Sequence, residues 1–189
     1  MKDIIIVGFG GHAKSITDSI EKQNEYKIVG YVDAEDKNVP YRYLGTDVEL
    51  QKYYNMGIKN AVIGIGYLGR GTIREELYEK LKKIGFSLPI ILDSTAIVSD
   101  KASIGEGSFV GKGAVINAEA VVGKMVIINT KAVVEHECKI GDFCHIAVGA
   151  VLCGQVEVET AAFVGANATV IQCKKIESRR LIPAGITIR

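Results

Sequence analysis

An aliphatic residue stands at every sixth position from Val98 to Ile188, and this beat restricts the chain to very few folds. The series runs through Ile104, Val110, Ile116, Val122, Ile128, Val134, Ile140, Ile146, Leu152, Val158, Val164, Val170, Ile176 and Ile182 without a miss. A helix returns to its buried face after about 3.6 residues and a plain strand after two, so this period belongs to neither. It suits a coil of three short strands per turn, each pointing one aliphatic side chain into a narrow triangular interior. Two places before the beat the residue is usually small, as at Ala102, Ser108, Ala114, Ala120, Ala132, Ala150, Ala162 and Ala168. One place after it come Gly105, Gly111, Gly123, Gly141 and Gly165, with Asn117 and Asn129 in the same slot. These residues tolerate a left-handed backbone and are expected to turn the corners. The pattern predicts a hexapeptide-repeat parallel β-helix of about five coils, its core a stack of aliphatic side chains.

Ahead of the beat the sequence alternates β and α character. Lys2 to Val7 reads as a buried strand that stops at Gly8. Then come Gly8-Phe9-Gly10-Gly11-His12-Ala13, a helical stretch over 14–22 and a second strand from Tyr26 to Val32 that ends on Asp33. Strand, glycine turn, helix, strand and acid form the G-x-G-x-x-G/A pattern, in which glycines let the backbone approach a phosphate at a helix N-terminus. A strand over 60–65, a helix over 72–83 and a last strand over 87–92 follow, with 93–95 as the hinge into the coil. The expected organisation is a Rossmann-like α/β half domain over 1–93 and a β-helix over 94–189. A full dinucleotide fold needs two mononucleotide halves, and only one fits before the repeat begins. A single nucleotide or nucleotide-sugar is therefore favoured over NAD, and a merely structural tight turn stays open.

Composition narrows the partners. A net charge of +1 with interspersed charges gives no basic patch for nucleic acid or a membrane surface. No apolar run is long enough for a bilayer span, and the short run at Ile4–Val7 is no secretory signal, so the expected setting is cytoplasmic. The four cysteines form no C-x-x-C pair. Cys138 and Cys144 fall in the small inward slot and behave there as small hydrophobes.

Two of the three histidines, His136 and His145, lie nine residues apart in Val-Val-Glu-His-Glu-Cys-Lys-Ile-Gly-Asp-Phe-Cys-His-Ile, residues 133–146. Neither is on the beat, so both are expected to project outward or along a wall of the prism. Glu135 and Glu137 flank His136, and a carboxylate beside an imidazole fixes its tautomer and raises its basicity. With no serine-nucleophile motif present, the economical role for His136 is general base in a direct transfer. A histidine metal site, as in a zinc-dependent β-helix of the carbonic anhydrase type, is the rival reading.

The block Glu135 to Gly149, taken with Val7-Gly8-x-Gly10-Gly11-His12, resembles the NeuD/PglD-like sugar O- and N-acetyltransferases of bacterial glycan synthesis. The resemblance extends over essentially the whole chain and implies a left-handed coil. It also implies acetyl-CoA as co-substrate with no metal, a nucleotide-sugar acceptor and a homotrimer with the cofactor between neighbouring coils. N-acetylation of a nucleotide-linked amino sugar is the expected reaction, with O-acetylation of a sialic acid-type sugar as the alternative. Carried over by position, the catalytic histidine is His136, its acid Glu137 and the active-site asparagine Asn129. His145 falls near the thioester and Gly154 at a backbone contact to the cofactor. The nucleotide pocket falls on Gly8, Gly10, Gly11, His12, Asp33 and Gly66. The family often has Gly-Gly where this sequence has Pro183-Ala184.

Overall fold

The computed structural model describes residues 1–189, which divide into two compact units. One comprises Met1–Gly66 and Gly71–Pro89, the other Tyr67–Arg70 and Ile90–Arg189.

In the first unit the apolar run Lys2–Val7 forms β1, followed by α1 (Gly11–Gln23), β2 (Tyr26–Val32), α2 (Leu50–Asn55), β3 (Asn60–Ile63) and α3 (Ile73–Ile84). The three strands pair in parallel in the order β2-β1-β3. Such a sheet is covered on both faces, which is why Ile4, Ile5, Ile6, Ala61, Val62 and Ile63 are all buried. Ala13, Ile16 and Ile20 give α1 its buried stripe, and Leu77, Tyr78 and Leu81 give α3 its own. Helix α3 ends on Gly85 at φ 109°, the left-handed conformation that glycine adopts without penalty. Because the chain leaves β1 first to one side and later to the other, the carboxyl ends of these strands form a switch point, where open α/β sheets take ligands.

The strand expected over 87–92 does not form. Ser87 makes an isolated bridge to Asn60 in the first unit, whereas Ile91–Leu92 is β4 and pairs with Phe109–Val110 of the coil. Pro89 separates the two halves and has no N–H to carry a ladder through. Leu92 also lies one step of six before Val98, so the beat begins a step earlier than Val98. The segment 93–95 is accordingly the first corner of the coil rather than a hinge, with Asp93 accepting hydrogen bonds from the Thr95 N–H and hydroxyl.

Seventeen two-residue strands run from β4 (Ile91–Leu92) to β20 (Thr187–Ile188). They stack in register as three parallel sheets of six, six and five strands. The beat residues and the small residues two places before them meet in one continuous core that holds both Cys138 and Cys144. All four cysteines are free thiols.

The corners are built differently from the sequence expectation. The left-handed residue stands three places after the beat, in an unbroken series from Gly107 to Gly185, and ten of its members are not glycine, among them Glu119, Met125, Glu137, Gln155 and Cys173. What holds them there is the ladder: from Met125 onward each N–H donates to a carbonyl one coil earlier, as Glu137 does to Ala118, Gln155 to His136 and Cys173 to Gly154. Gly105, Gly141 and Gly165, one place after the beat, do not have positive φ. They are glycines because the next coil passes too close for a side chain. A Cβ at Gly105 would lie 2.5 Å from the Lys124 nitrogen, one at Gly141 2.7 Å from that of Thr160, and one at Gly165 2.5 Å from that of Ala184.

Candidate active site

The residues singled out from the sequence fall into two groups, one in each unit. In the first unit Gly8 leaves β1 at φ 82°, and the Ile65 side chain fills the space that a Cβ would need. The next residue donates its N–H to Asp33 at 2.7 Å, and the other Asp33 oxygen accepts from Ala34, also at 2.7 Å. The Asp33 carboxylate thus ties the end of β2 to the glycine turn. Gly10 caps α1 without a side chain, no acid occupies its first turn, and side chains added at Gly10 or Gly11 would meet nothing. The N-terminus of α1 is thus approachable at Gly10 and Gly11, and a helix N-terminus of this kind attracts a phosphate. Gly66 comes beside His12, where an added Cβ would contact that of the histidine at 3.5 Å. A cavity of about 280 Å³ opens at the carboxyl ends of the strands, lined by Val7, Gly8, Val32, Asp33, Thr46 and Ile65 among others. Arg74, buried in the first turn of α3, donates to the Ile65 carbonyl at 2.6 Å. Burial lowers its pKa to about 10.

In the second unit His136, Glu137 and Gly154 come together. Glu137 occupies a left-handed corner, φ 60°, which turns its carboxylate back to the His136 ring: Nδ1 and Oε2 are 3.0 Å apart. A carboxylate only accepts, so Nδ1 carries the proton and the lone pair of the neutral ring is on Nε2. Hydrogen bonds from His136 and then Gln155 hold the Glu137 carboxyl below the usual carboxylate range. One coil on, Gly154 makes room for the ring: a Cβ there would stand 2.5 Å from Nε2. The equivalent N–H groups of Ala118, Thr130 and His136 donate to the side chain of the residue before them. Cys153 offers no such oxygen, and the Gly154 N–H joins none of the bonds that close the coils. The His136 and Glu137 side chains are 56% and 47% exposed, so this dyad stands on an open wall.

His145 differs. It lies outside the prism, as its place before the beat requires, yet it is only 6% exposed. The strip Tyr67–Arg70 covers it: the Tyr67 carbonyl accepts from Nδ1 at 2.5 Å, and the Tyr67 hydroxyl donates to the Ala161 carbonyl at 2.7 Å. Phe163 meets the ring edge-on. Nε2 accepts from the Asn129 amide at 3.0 Å, and the Asn129 oxygen accepts from the Thr130 N–H at 2.8 Å. Both nitrogens of His145 are therefore engaged by the chain, and Asn129 is held by its imidazole. The sequence reading missed Tyr67, for which no local pattern exists. It also missed Gln155, which a step of one full coil from Glu137 would have found. No group of three or more His, Cys, Asp or Glu side chains converges as metal ligands.

The chain is similar to several known proteins. A model of the PglD N-terminal domain matches residues 3–81. Among solved structures, a histidine-to-alanine variant of GDP-perosamine N-acetyltransferase from Caulobacter crescentus, in complex with CoA and GDP-perosamine, is 32% identical. It superposes with a TM-score of 0.94 over 100% of this chain and 89% of that one. The acetyltransferase domain of PglB from Neisseria gonorrhoeae is 29% identical with a TM-score of 0.91, covering 100% of this chain and 92% of that one. Its complex with acetyl coenzyme A is 28% identical with a TM-score of 0.86 over 98% of this chain and 95% of that one. GDP-perosamine N-acetyltransferase of Escherichia coli O157:H7 is 28% identical over 123 residues, 65% of this chain. The alignment spans 51%, about half, of that relative's length. The coil is thus the left-handed parallel β-helix of such acetyltransferases.

Proposed function

Since the chain belongs to the NeuD/PglD-like family of hexapeptide-repeat sugar acetyltransferases, we propose that it moves the acetyl group of acetyl-CoA onto the amino group of a nucleotide-linked amino sugar. The observation that carries this reading is the dyad. His136 has its Nδ1 proton held by Glu137 at 3.0 Å, and its Nε2 edge lies over Gly154. In the proposed reaction the sugar nitrogen attacks the thioester carbonyl carbon while Nε2 takes the proton that nitrogen gives up. The Gly154 N–H, open beside the ring, is suited to the oxygen that becomes negative. As the carbon–sulfur bond breaks, the imidazolium returns the proton to the departing thiolate, leaving an amide and free CoA thiol. His145 and Asn129 brace the wall beside acetyl-CoA in this reading, and the buried, doubly bonded His145 is not a second base.

The nucleotide is assigned to the first unit, with its phosphates at the N–H groups of α1 and its nucleoside toward the cavity bordered by Asp33. The domain boundary proposed with it follows the division at Pro89/Ile90, not 93/94. The proposed assembly is a homotrimer, as the family resemblance implies. A monomeric mass by light scattering would refute it. No helix is long and apolar enough to cross a membrane. The four free thiols and a CoA substrate support a cytoplasmic setting.

Free-thiol release from acetyl-CoA, measured with GDP-, UDP- and CMP-linked amino and hydroxy sugars, tests the reaction and the choice between N- and O-acetylation. His136→Ala is expected to lower turnover on the order of 10² to 10⁴ while leaving acetyl-CoA binding intact. Full turnover in that variant would remove His136 from the role.

A further inference from the structure

The left-handed corner that presents Glu137 is one of a column. Glu119, Glu137, Gln155 and Cys173 follow at steps of eighteen, one full coil, all with φ near 60°. The ladder fixes their backbones directly above one another, so their side chains meet along the outside of the wall. A chain of hydrogen bonds runs down the column and ends on the dyad. The Gln155 amide nitrogen donates to Oε2 of Glu137 at 3.1 Å, the same oxygen that accepts from His136. The Cys173 thiol donates to the Gln155 oxygen at 3.2 Å. Each direction is forced. A carboxylate accepts only, so Gln155 must turn its NH₂ to Glu137, which turns its oxygen to Cys173 and requires the thiol to keep its proton.

We propose that Gln155 is a positioning residue for the His136–Glu137 pair: its amide, oriented by the Cys173 thiol, holds the Glu137 carboxylate where it accepts from Nδ1 and leaves Nε2 bare. The proposal rests on the acetyltransfer reading for its kinetic consequence only, because the orientation of the ring is a property of the free protein. Glu137 is about half exposed, and its side chain has several rotatable bonds. Without a second partner the carboxylate swings to solvent, and the imidazole then has nothing to fix its tautomer. Outer partners that orient metal-ligating histidines and carboxylates are worth about 10- to 100-fold, which sets the order of magnitude for an orienting partner here.

The backbone tolerates the substitutions needed, because Met125 and Ala161 occupy the same corner slot in other coils. Gln155→Met removes the hydrogen bonds at nearly constant volume. It is expected to lower kcat about ten-fold with the acetyl-CoA KM within two-fold, at the low end of that range. In a Glu137→Ala background the same change should cost nothing further, because there is no carboxylate left to hold. Cys173→Ser keeps a donor and is expected to retain the Gln155 orientation, whereas Cys173→Ala should give part of the Gln155→Met loss. Nitrogen-15 shifts of the histidines, with His136 assigned from the spectrum of His136→Ala, provide a reading independent of any acceptor. The intact protein should hold His136 as the Nδ1–H tautomer and Gln155→Met should mix the two tautomers. Unchanged His136 shifts in Gln155→Met, or full additivity with Glu137→Ala, would overturn the proposal. Full turnover in His136→Ala would instead overturn the reaction assignment and leave the tautomer result standing.

Discussion

Adding one methyl group at Gly154 separates the placement of the His136 ring from every other feature of the fold. The backbone there is not left-handed, so alanine is conformationally acceptable. Its Cβ, however, would stand 2.5 Å from Nε2 and 2.6 Å from Cε1 of His136, whereas ordinary contact begins at 3.4 Å. The ring must retreat by about 0.9 Å, the difference between those limits, and the Glu137 bond at 3.0 Å does not survive that shift unchanged. A misplacement of about 1 Å at a reacting group costs on the order of 10² in rate. Stability should hardly respond. His136 is more than half exposed and free to move, and replacing a glycine at a compatible conformation stabilises by about 0.4–1 kcal/mol through the unfolded chain. Gly154→Ala is therefore expected to lose 10- to 100-fold in kcat while its melting midpoint holds or rises by up to about 4 °C. Thiol-release kinetics and a thermal melt on the same preparation decide the matter. A kcat within two-fold of the parent would refute the close approach, and a midpoint several degrees lower would mean that the lost activity reports unfolding.

Elsewhere in the coil the same substitution should do the opposite. At Gly141 an added Cβ meets the backbone nitrogen of Thr160 at 2.7 Å, which cannot rotate aside, so Gly141→Ala is expected to cost about 1–3 kcal/mol, read as a lower urea midpoint. Burial pushes the Cys144 thiol up to about 12. The folded state then keeps a proton that the unfolded chain releases near 9, so this contribution is complete below pH 9 and is lost as pH rises toward 12. Denaturant midpoints measured from pH 8 to 11 should fall less steeply in Cys144→Ala than in the parent, and parallel curves would refute the linkage.

The beat was legible because it records which side chains point inward, a property of the nearest few residues. Core placement of Cys138 and Cys144, and the outward placement of His136 with its acid, followed from counting. The corner residues did not. Glycine and asparagine suggested left-handed turns one place after the beat, but the ladder imposes that conformation two places later on Met125, Phe143 and Glu137, whatever their propensity. The glycines record instead how closely the following coil passes, which no local pattern states. Leu92 reads as part of a separate strand because Ser87 to Leu92 looks continuous until Pro89 is weighed. The environment of His145 was out of reach altogether: its partner Tyr67 lies 78 residues earlier, beyond any repeat.

The strip Tyr67–Arg70 also governs how such a chain can be recombined. The polypeptide passes between its two units after Gly66, after Arg70 and after Pro89, so no single junction separates them. A crossover at Pro89 that imported the first unit of a relative would import that relative's strip as well. The strip would have to fit His145, Ala161, Phe163 and Leu181, where Gly69 has no room for a side chain. The first unit is therefore exchanged cleanly only by chimeras with two additional junctions, which replace that unit and return four residues to the coil.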